Sequence, residues 1–352
     1  MPLTYRCNLN CEYCYVDKRL KRSMDLDTAL SAVDFLMKRG KASGKSVDVI
    51  FVGGEPLLEW RMIVLIVHYA KRLAAGMGVS LGTIGFPTNG LLLNRKILEY
   101  CRKEGISVAV SIDGMDNKRM TVAGENSFPR VERKIPLLLE YRDVVRIRST
   151  VHPDHVGSSA ETFKQFLGLG FIKVDMQPVI GVLWKSEQMA EYLKNLEASF
   201  VEVQKNNSKS GSMVDIKHLR DFNGARQDEL GCPKIKEEFL VDIDGNIYPC
   251  EFFLSMPHEQ RASYAIGDIE HGVREKDSEN CMSHKICDSG DGIPVLKPGC
   301  ASCSQSPACS KICLGYDRIG KRFDTALAQN NWLLFRGMEN VFDRYKHLSG
   351  SD

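Results

Sequence analysis

An α/β fold built on a parallel sheet is predicted by three features of the sequence. Over the first two thirds, short apolar runs rich in β-branched residues alternate six times with longer helix-like segments. Parallel strands need such crossover connections. Each run ends in a polar or glycine-rich signature, as strands do in barrels whose active sites lie at their carboxyl ends. After Gly231 the character changes, and eight of the twelve cysteines fall in the last third. Six β-α units fall short of the eight that close a barrel. The expected architecture is therefore a partial (β/α)6 TIM-like barrel, followed by a small cysteine-rich domain and a C-terminal helix.

The strands are predicted at Leu3–Arg6, Val47–Val52, Ser80–Phe86, Ser107–Ile112, Val144–Val151 and Phe171–Gln177, runs too short to be helices. A helix over Asp27 to Arg39 gathers Leu30, Val33, Phe35, Leu36 and Met37 largely on one side, with Gly40 as its stop. Leu58–Ala75, Arg95–Lys103, Arg130–Tyr141, Glu161–Leu169 and Ser186–Gln204 read as helices on the same grounds. Lys205–Ser212 is polar and without periodicity, a linker pattern. Phe239–Ile243 and Asn246–Tyr248 flank Asp244-Gly245, a hairpin-turn signal. An amphipathic helix over Asp324–Tyr345 is expected last. The domain organisation that follows is 1–205 for the partial barrel, 206–230 for a linker and 231–352 for the cysteine-rich domain.

The net charge of +2 gives no electrostatic case for nucleic acid or membrane binding. Lys18-Arg19-Leu20-Lys21-Arg22 reads as a solvated loop, and no apolar stretch reaches the length of a membrane span. Arg6 and Cys7 stand where the apolar core of a signal peptide would lie. Twelve cysteines without an export signal argue for metal binding in a reducing compartment, so the cytoplasm is expected, under low oxygen.

Three cysteines near the start carry the most specific signal: Cys7, Cys11 and Cys14, spaced by three residues and then two. Three thiolates on one loop can hold three irons of a cubane cluster and leave the fourth open to a ligand. A zinc site or a disulfide are the other readings, but zinc loops more often pair a two-residue spacer with a second distant pair. The run, with the aromatic Tyr13 before its third cysteine, resembles the signature of the radical S-adenosylmethionine enzymes. The resemblance implies a 4Fe-4S cluster on Cys7, Cys11 and Cys14 whose open iron chelates S-adenosylmethionine. It implies reductive cleavage of that cofactor to a 5′-deoxyadenosyl radical, which abstracts a substrate hydrogen.

The strand ends match that pattern in turn: Gly53-Gly54-Glu55-Pro56, Thr88-Asn89-Gly90, Ser111-Ile112-Asp113-Gly114, then Arg146 and Arg148 on the fifth strand and Gln177-Pro178 on the sixth. By the resemblance, Gly53, Gly54 and Glu55 contact the cofactor's amino group. Glycines permit a close backbone approach, and a carboxylate is a charge-assisted acceptor for an ammonium. Asn89 and Ser111 would lie near the methionine or ribose part, and Arg148 could pair with the cofactor's carboxylate. A plain turn is the other reading of Asn89-Gly90, and a paired surface arginine that of Arg148.

The last third is again specific. Cys232, Gly245 and Cys250 form a first half, and Cys300, Cys303, Cys309 and Cys313 a second. This is similar to the SPASM extension, which in its family binds two auxiliary clusters; zinc is the rival for the second group. By the family's pattern Cys232, Cys250 and Cys313 serve one cluster, and Cys300, Cys303 and Cys309 the other. The family's last cysteine is missing, so each cluster is one protein ligand short. Cys281 and Cys287 are the available thiols, and Asp317 a possible oxygen ligand; the alternatives are a second cluster with an open iron, or a single auxiliary cluster. The three opening cysteines and the eight late ones make the eleven that one open and two fully ligated cubanes need. Cys101, among apolar neighbours, reads as a core residue. Glu251 stands where anaerobic sulfatase-maturating enzymes carry an aspartate thought to deprotonate the substrate, and a solvated carboxylate is the other reading.

The resemblance spans the chain and implies an oxidoreductase or maturase that modifies a residue of a peptide or protein by oxidation, crosslinking or epimerisation. An external electron donor such as flavodoxin or ferredoxin is implied with it. Six residues precede Cys7, which leaves no room there for a peptide-recognition domain, so the expectation is that a partner supplies leader recognition or that the substrate docks unaided. A small-molecule radical dehydrogenase, and a non-catalytic iron–sulfur or zinc scaffold, are the alternatives.

Overall fold

The structure is a computed structural model. It describes residues 1–17, 19–114, 118–179, 182–210, 213–216, 238–274, 334, 337–338 and 340–349. These fall into two compact units.

The first unit holds the described residues of 1–6, 15–82 and 238–274. It begins with β1 (Pro2–Thr4), which pairs in parallel with β3 (Val52–Gly53), Pro2 opposite Val52 and Thr4 opposite Gly53. Phe51 separates β3 from β2 (Val47–Ile50), so the single strand expected over Val47–Val52 is two. Helix α1 (Leu26–Ser43) starts at Asp25, whose side chain accepts from the Thr28 N–H, and ends at Gly44 with φ 67°. Gly40 is therefore inside the helix rather than its stop. A Cβ there would stand 2.3 Å from Val47 Cγ2, so Gly40 serves the approach of α1 to the start of β2. Helix α2 (Trp60–Met77) turns Ile63, Ile66, Val67, Ala70 and Ala74 inward.

The hairpin of the last third packs in this same unit. β8 (Leu240–Val241) and β9 (Asn246–Tyr248) are antiparallel, joined through Gly245 at φ 81°, where the Asp242 side chain accepts from the Asp244 and Asn246 N–H groups. Phe239 meets Phe35 of α1 edge to face at 6.5 Å, under the Arg39 guanidinium. Arg22 pairs with Asp244 at 2.8 Å and Arg19 with Asp17 at 2.8 Å, so these arginines of the basic run stand against carboxylates. Helix α8 (His258–Arg261) brings in Arg261, which is fully buried. Its guanidinium donates to the Tyr5 hydroxyl and to the Met256 carbonyl at 2.9 Å. β10 (Gly267–Asp268) and β11 (Gly272–Val273) extend the hairpin sheet.

The second unit holds the described residues of 7–14, 83–226 and 333–352. Its sheet is parallel throughout: β4 (Leu81–Thr88, of which Thr83–Thr88 belong here), β5 (Ile106–Ser111), β6 (Val145–Val151) and β7 (Val174–Pro178), paired in that order. The inward residues Ile106, Val108, Val110, Val145, Ile147 and Val174 are fully buried. Helices α3 (Arg95–Glu104) and α6 (Ser159–Gly168) fall where the periodicity places them. The helix expected over Arg130–Tyr141 is instead α4 (Phe128–Glu132) and α5 (Ile135–Glu140). Pro136 lacks an N–H and biases the residue before it away from the α region. Helix α7 (Ser186–Ser210) runs on through Lys205–Ser210, where the polar run suggested a linker. Phe200 packs against Phe342 at 5.9 Å and Tyr345 at 5.3 Å, and Arg344 pairs with Glu197 at 3.1 Å. Apolar anchoring of one face lets the helix carry polar residues to its end.

Candidate functional site

The cysteine loop lies in the second unit. Cys7, Cys11 and Cys14 are half-buried and none is in a disulfide. The loop is pinned by main-chain bonds to the segment after β5: Asn10 N–H to the Met120 carbonyl at 2.7 Å, Glu12 N–H to the Lys118 carbonyl at 3.1 Å, and a Leu9–Thr121 bridge. Lys118 adds an ion pair to Glu12 at 3.1 Å. The Cys7 sulfur accepts from the Leu9 N–H at 3.4 Å and from the Asn89 amide at 3.9 Å. Donors of this kind tune the potential of a thiolate-held cluster.

Asn89 is buried. Its Nδ2 also donates to Asn8 Oδ1 at 2.7 Å, while its Oδ1 accepts from the Leu91 N–H at 3.0 Å. It is a turn residue and a brace of the cysteine loop together.

Tyr13 hydrogen-bonds through its hydroxyl to Asp113, and burial pushes that phenol's pKa well up. The Asp113 side chain is 4% exposed and accepts also from Arg119 Nε at 2.7 Å and from the Thr150 N–H at 2.7 Å. Asp113 thus ties the cysteine loop, the segment after it and the end of β6 together. In the sequence Asp113 reads only as part of a strand-end signature, and Arg119 does not stand out. The spacing of an acid at a strand end and a base six residues on was the available signal. Tyr13, Asp113, Lys118, Ser149, His152 and His155 line a small cleft at this place.

Ser111 closes β5 directly opposite Arg148 on β6. Arg148 Nη2 donates to Gln177 Oε1 on β7 at 2.9 Å. Among the described residues no carboxylate lies within ion-pair distance of Arg148. Arg146, two residues earlier, is buried and pairs with Asp175 at 3.1 Å and with Asp215.

The remaining predicted residues lie in the first unit. Gly53 (φ 109°) and Gly54 abut the chain that enters the cysteine loop: a Cβ would come 2.4 Å from the Thr4 carbonyl oxygen at Gly53, and 2.0 Å from that of Arg6 at Gly54. The Gly-Gly pair thus already has a reason in packing, because Arg6 directly precedes Cys7. Glu55 is 1% exposed, and its Oε1 accepts from the Leu57 N–H at 3.1 Å. Arg6 is held in turn by Glu59 at 2.6 Å. Cys250 is buried at the end of the hairpin, and Glu251 follows half-buried at the start of a 3-10 turn. Cys232, Cys281, Cys287, Cys300, Cys303, Cys309, Cys313 and Asp317 lie outside the described residues.

Three thiols outside any disulfide, on one braced loop with N–H donors at Cys7, fit a thiolate-held cluster. The family model described as the radical SAM superfamily matches residues 1–167. Residues 1–167 are a radical SAM domain. The cofactors of a radical SAM domain are a 4Fe-4S cluster and S-adenosylmethionine, and the residues above suit both. An uncharacterized protein of Methanocaldococcus jannaschii, MJ0907, is 35% identical over 116 residues, 33% of this chain and 38% of that protein. The chain therefore matches little over a third of that relative's length. The cysteine-type anaerobic sulfatase-maturating enzyme of Clostridium perfringens is 25% identical over 362 residues, covering 90% of this chain and 91% of that enzyme. The radical SAM domain is homologous to such enzymes. A solved structure of native anSMEcpe with bound AdoMet and Kp18Cys peptide aligns with a TM-score of 0.73 at 19% identity, covering 100% of this chain and 98% of that one. The fold class is the one predicted from sequence, α/β of the partial TIM-barrel type. Among the described residues no helix is long and apolar enough to cross a membrane.

Proposed function

We propose that this chain is a radical S-adenosylmethionine enzyme that abstracts a hydrogen from a residue of a peptide or protein, as a maturase. The observation that carries the reading is the braced loop of Cys7, Cys11 and Cys14 in a unit where Arg148 stands without a carboxylate partner among the described residues. The full-length likeness to a sulfatase-maturating enzyme, and to a structure that holds a peptide, supports the substrate class.

A cluster held by Cys7, Cys11 and Cys14 would supply one-electron reduction, and S-adenosylmethionine bound beside it would supply the hydrogen-abstracting chemistry. The chain's own residues do the rest. Cys7, Cys11 and Cys14 would hold the cluster, and Asn89 and the Leu9 N–H donate to the Cys7 sulfur. Tyr13 is fixed by Asp113. Arg148, beside Ser111, takes the cofactor's carboxylate. Cys250 is assigned to an auxiliary cluster in a SPASM-like domain over 231–352. Glu251 is assigned as the base that takes a proton from the substrate side chain. An external one-electron donor such as flavodoxin or ferredoxin completes the cycle.

The test is anaerobic incubation of the reconstituted chain with reductant, S-adenosylmethionine and the Kp18Cys peptide. The reading expects 5′-deoxyadenosine together with a peptide that has lost two hydrogens, gained a crosslink or changed configuration. Glu251→Gln should retain 5′-deoxyadenosine formation and lose the peptide product. Formation of 5′-deoxyadenosine with a sugar alcohol but no peptide would overturn the substrate class. None under any condition would leave the non-catalytic scaffold.

A further inference from the structure

We propose that Gln177 is a positioning residue, one that holds the Arg148 guanidinium in place while leaving its charge uncompensated. The inference rests on the assignment of Arg148 to the cofactor's carboxylate. Its basis is the way two arginines on one face of β6 divide the acceptors of β7. Side chains two apart on a strand share a face, so Arg146 and Arg148 point the same way. Asp175 stands directly opposite Arg148 in the parallel register. It does not take that arginine. It pairs with Arg146 at 3.1 Å, and Asp215 takes Arg146 as well. Arg148 instead reaches forward along β7 to Gln177 Oε1 at 2.9 Å. Two carboxylates thus pair with the buried arginine, and among the described residues the half-buried one nearer the strand ends receives a neutral amide and no carboxylate.

The chemistry of the amide explains the choice. An oxygen acceptor fixes one arm of the planar guanidinium fork and lowers the entropy lost when the other arm binds an anion. A carboxylate at position 177 would fix the arm equally well, but it would also neutralise the charge that recruits a ligand carboxylate. Glutamine and glutamate have nearly the same shape, so the two roles separate in one substitution.

The experiment is equilibrium dialysis of S-adenosylmethionine, and in parallel of decarboxylated S-adenosylmethionine, against cluster-loaded wild type, Gln177→Glu, Gln177→Met and Arg148→Met. Iron content is measured on each protein. With S-adenosylmethionine, Gln177→Glu should weaken binding by about tenfold or more, and Gln177→Met by about threefold, as expected for a compensated charge and for a lost hydrogen bond. With the decarboxylated ligand all four proteins should bind within about twofold of one another. The double variant Arg148→Met/Gln177→Met should bind like Arg148→Met alone, because a positioning effect on the cofactor's carboxylate passes through Arg148. Equal losses on both ligands, or additive losses in the double variant, would overturn the inference and leave Gln177 a general packing residue. An Arg148→Met protein that binds S-adenosylmethionine as wild type does would overturn the assignment of Arg148 itself. If Gln177→Glu fails to load iron, the Gln177→Met cycle decides alone.

Discussion

Replacing Asp113 by asparagine should loosen the cysteine loop, at a cost that follows from the burial of one ion pair. Asp113 and Arg119 face each other at 2.7 Å with side-chain exposures of 4% and 14%. Removing one partner of a buried pair strands the other charge, which typically costs about 3–5 kcal/mol. Asparagine is nearly isosteric, so no cavity forms. Its amide NH2, however, must face two donors whichever way it turns: Tyr13 Oη and Arg119 Nε on one side, or the Thr150 N–H and Arg119 Nη2 on the other. We expect a loss of about 3 kcal/mol, the lower end of that range, since Arg119 keeps some access to water. Urea unfolding of the apo protein measures it, and hydrogen exchange at Asn10 and Glu12 locates it, because their amides bond to the Met120 and Lys118 carbonyls. Tyr13→Phe, which removes only the hydroxyl, should cost about 1–2 kcal/mol. Adding Arg119→Met to Asp113→Asn should restore part of the loss, since the buried guanidinium charge is then gone. A loss below about 1 kcal/mol, the range of exposed pairs, would refute the reasoning.

Gly54→Ala should prevent stable folding of the chain around Arg6, because its Cβ would lie 2.0 Å from a backbone oxygen that cannot retreat. Absence of soluble, iron-loadable protein checks this, and a normally loaded variant contradicts it. A pH dependence follows from Cys101, whose thiol is pushed up to about 12 from 9.0 by burial. The unfolded thiol ionises first, so stability from this group is full below pH 9 and falls as pH rises from 9 toward 12. The slope is about 1.4 kcal/mol per pH unit. Cys101→Ala should remove that component of the decline in urea midpoints measured across the window.

What the sequence made legible was what depends on local pattern. Alternating runs placed the strands β4 to β7 within a few residues, and Asp244-Gly245 placed the hairpin turn. What it hid depends on who the neighbour is. Gly40 reads as a helix stop until Val47 is seen against it, and the helix runs on to Gly44. Lys205–Ser210 reads as a linker because its own residues are polar, yet they extend a helix anchored upstream on Phe200. Gly53 and Gly54 read as ligand contacts, and their nearest constraint is the chain's own backbone, β1 at Gly53 and the Tyr5-Arg6 segment after it at Gly54. The Asp113–Arg119 pair and the division of acceptors between Arg146 and Arg148 are long-range facts of register, which no local window contains.

The central claim is that Cys7, Cys11 and Cys14 hold a cluster with one iron open to S-adenosylmethionine. Electron paramagnetic resonance of the reduced, reconstituted protein tests it most directly, read with and without the cofactor. The account predicts a 4Fe-4S signal whose g-values shift when S-adenosylmethionine is added, and a Cys7→Ala/Cys11→Ala/Cys14→Ala variant in which that responsive signal is gone. A cofactor-responsive signal that survives in the triple variant, or a wild-type cluster whose spectrum ignores the cofactor, would contradict it.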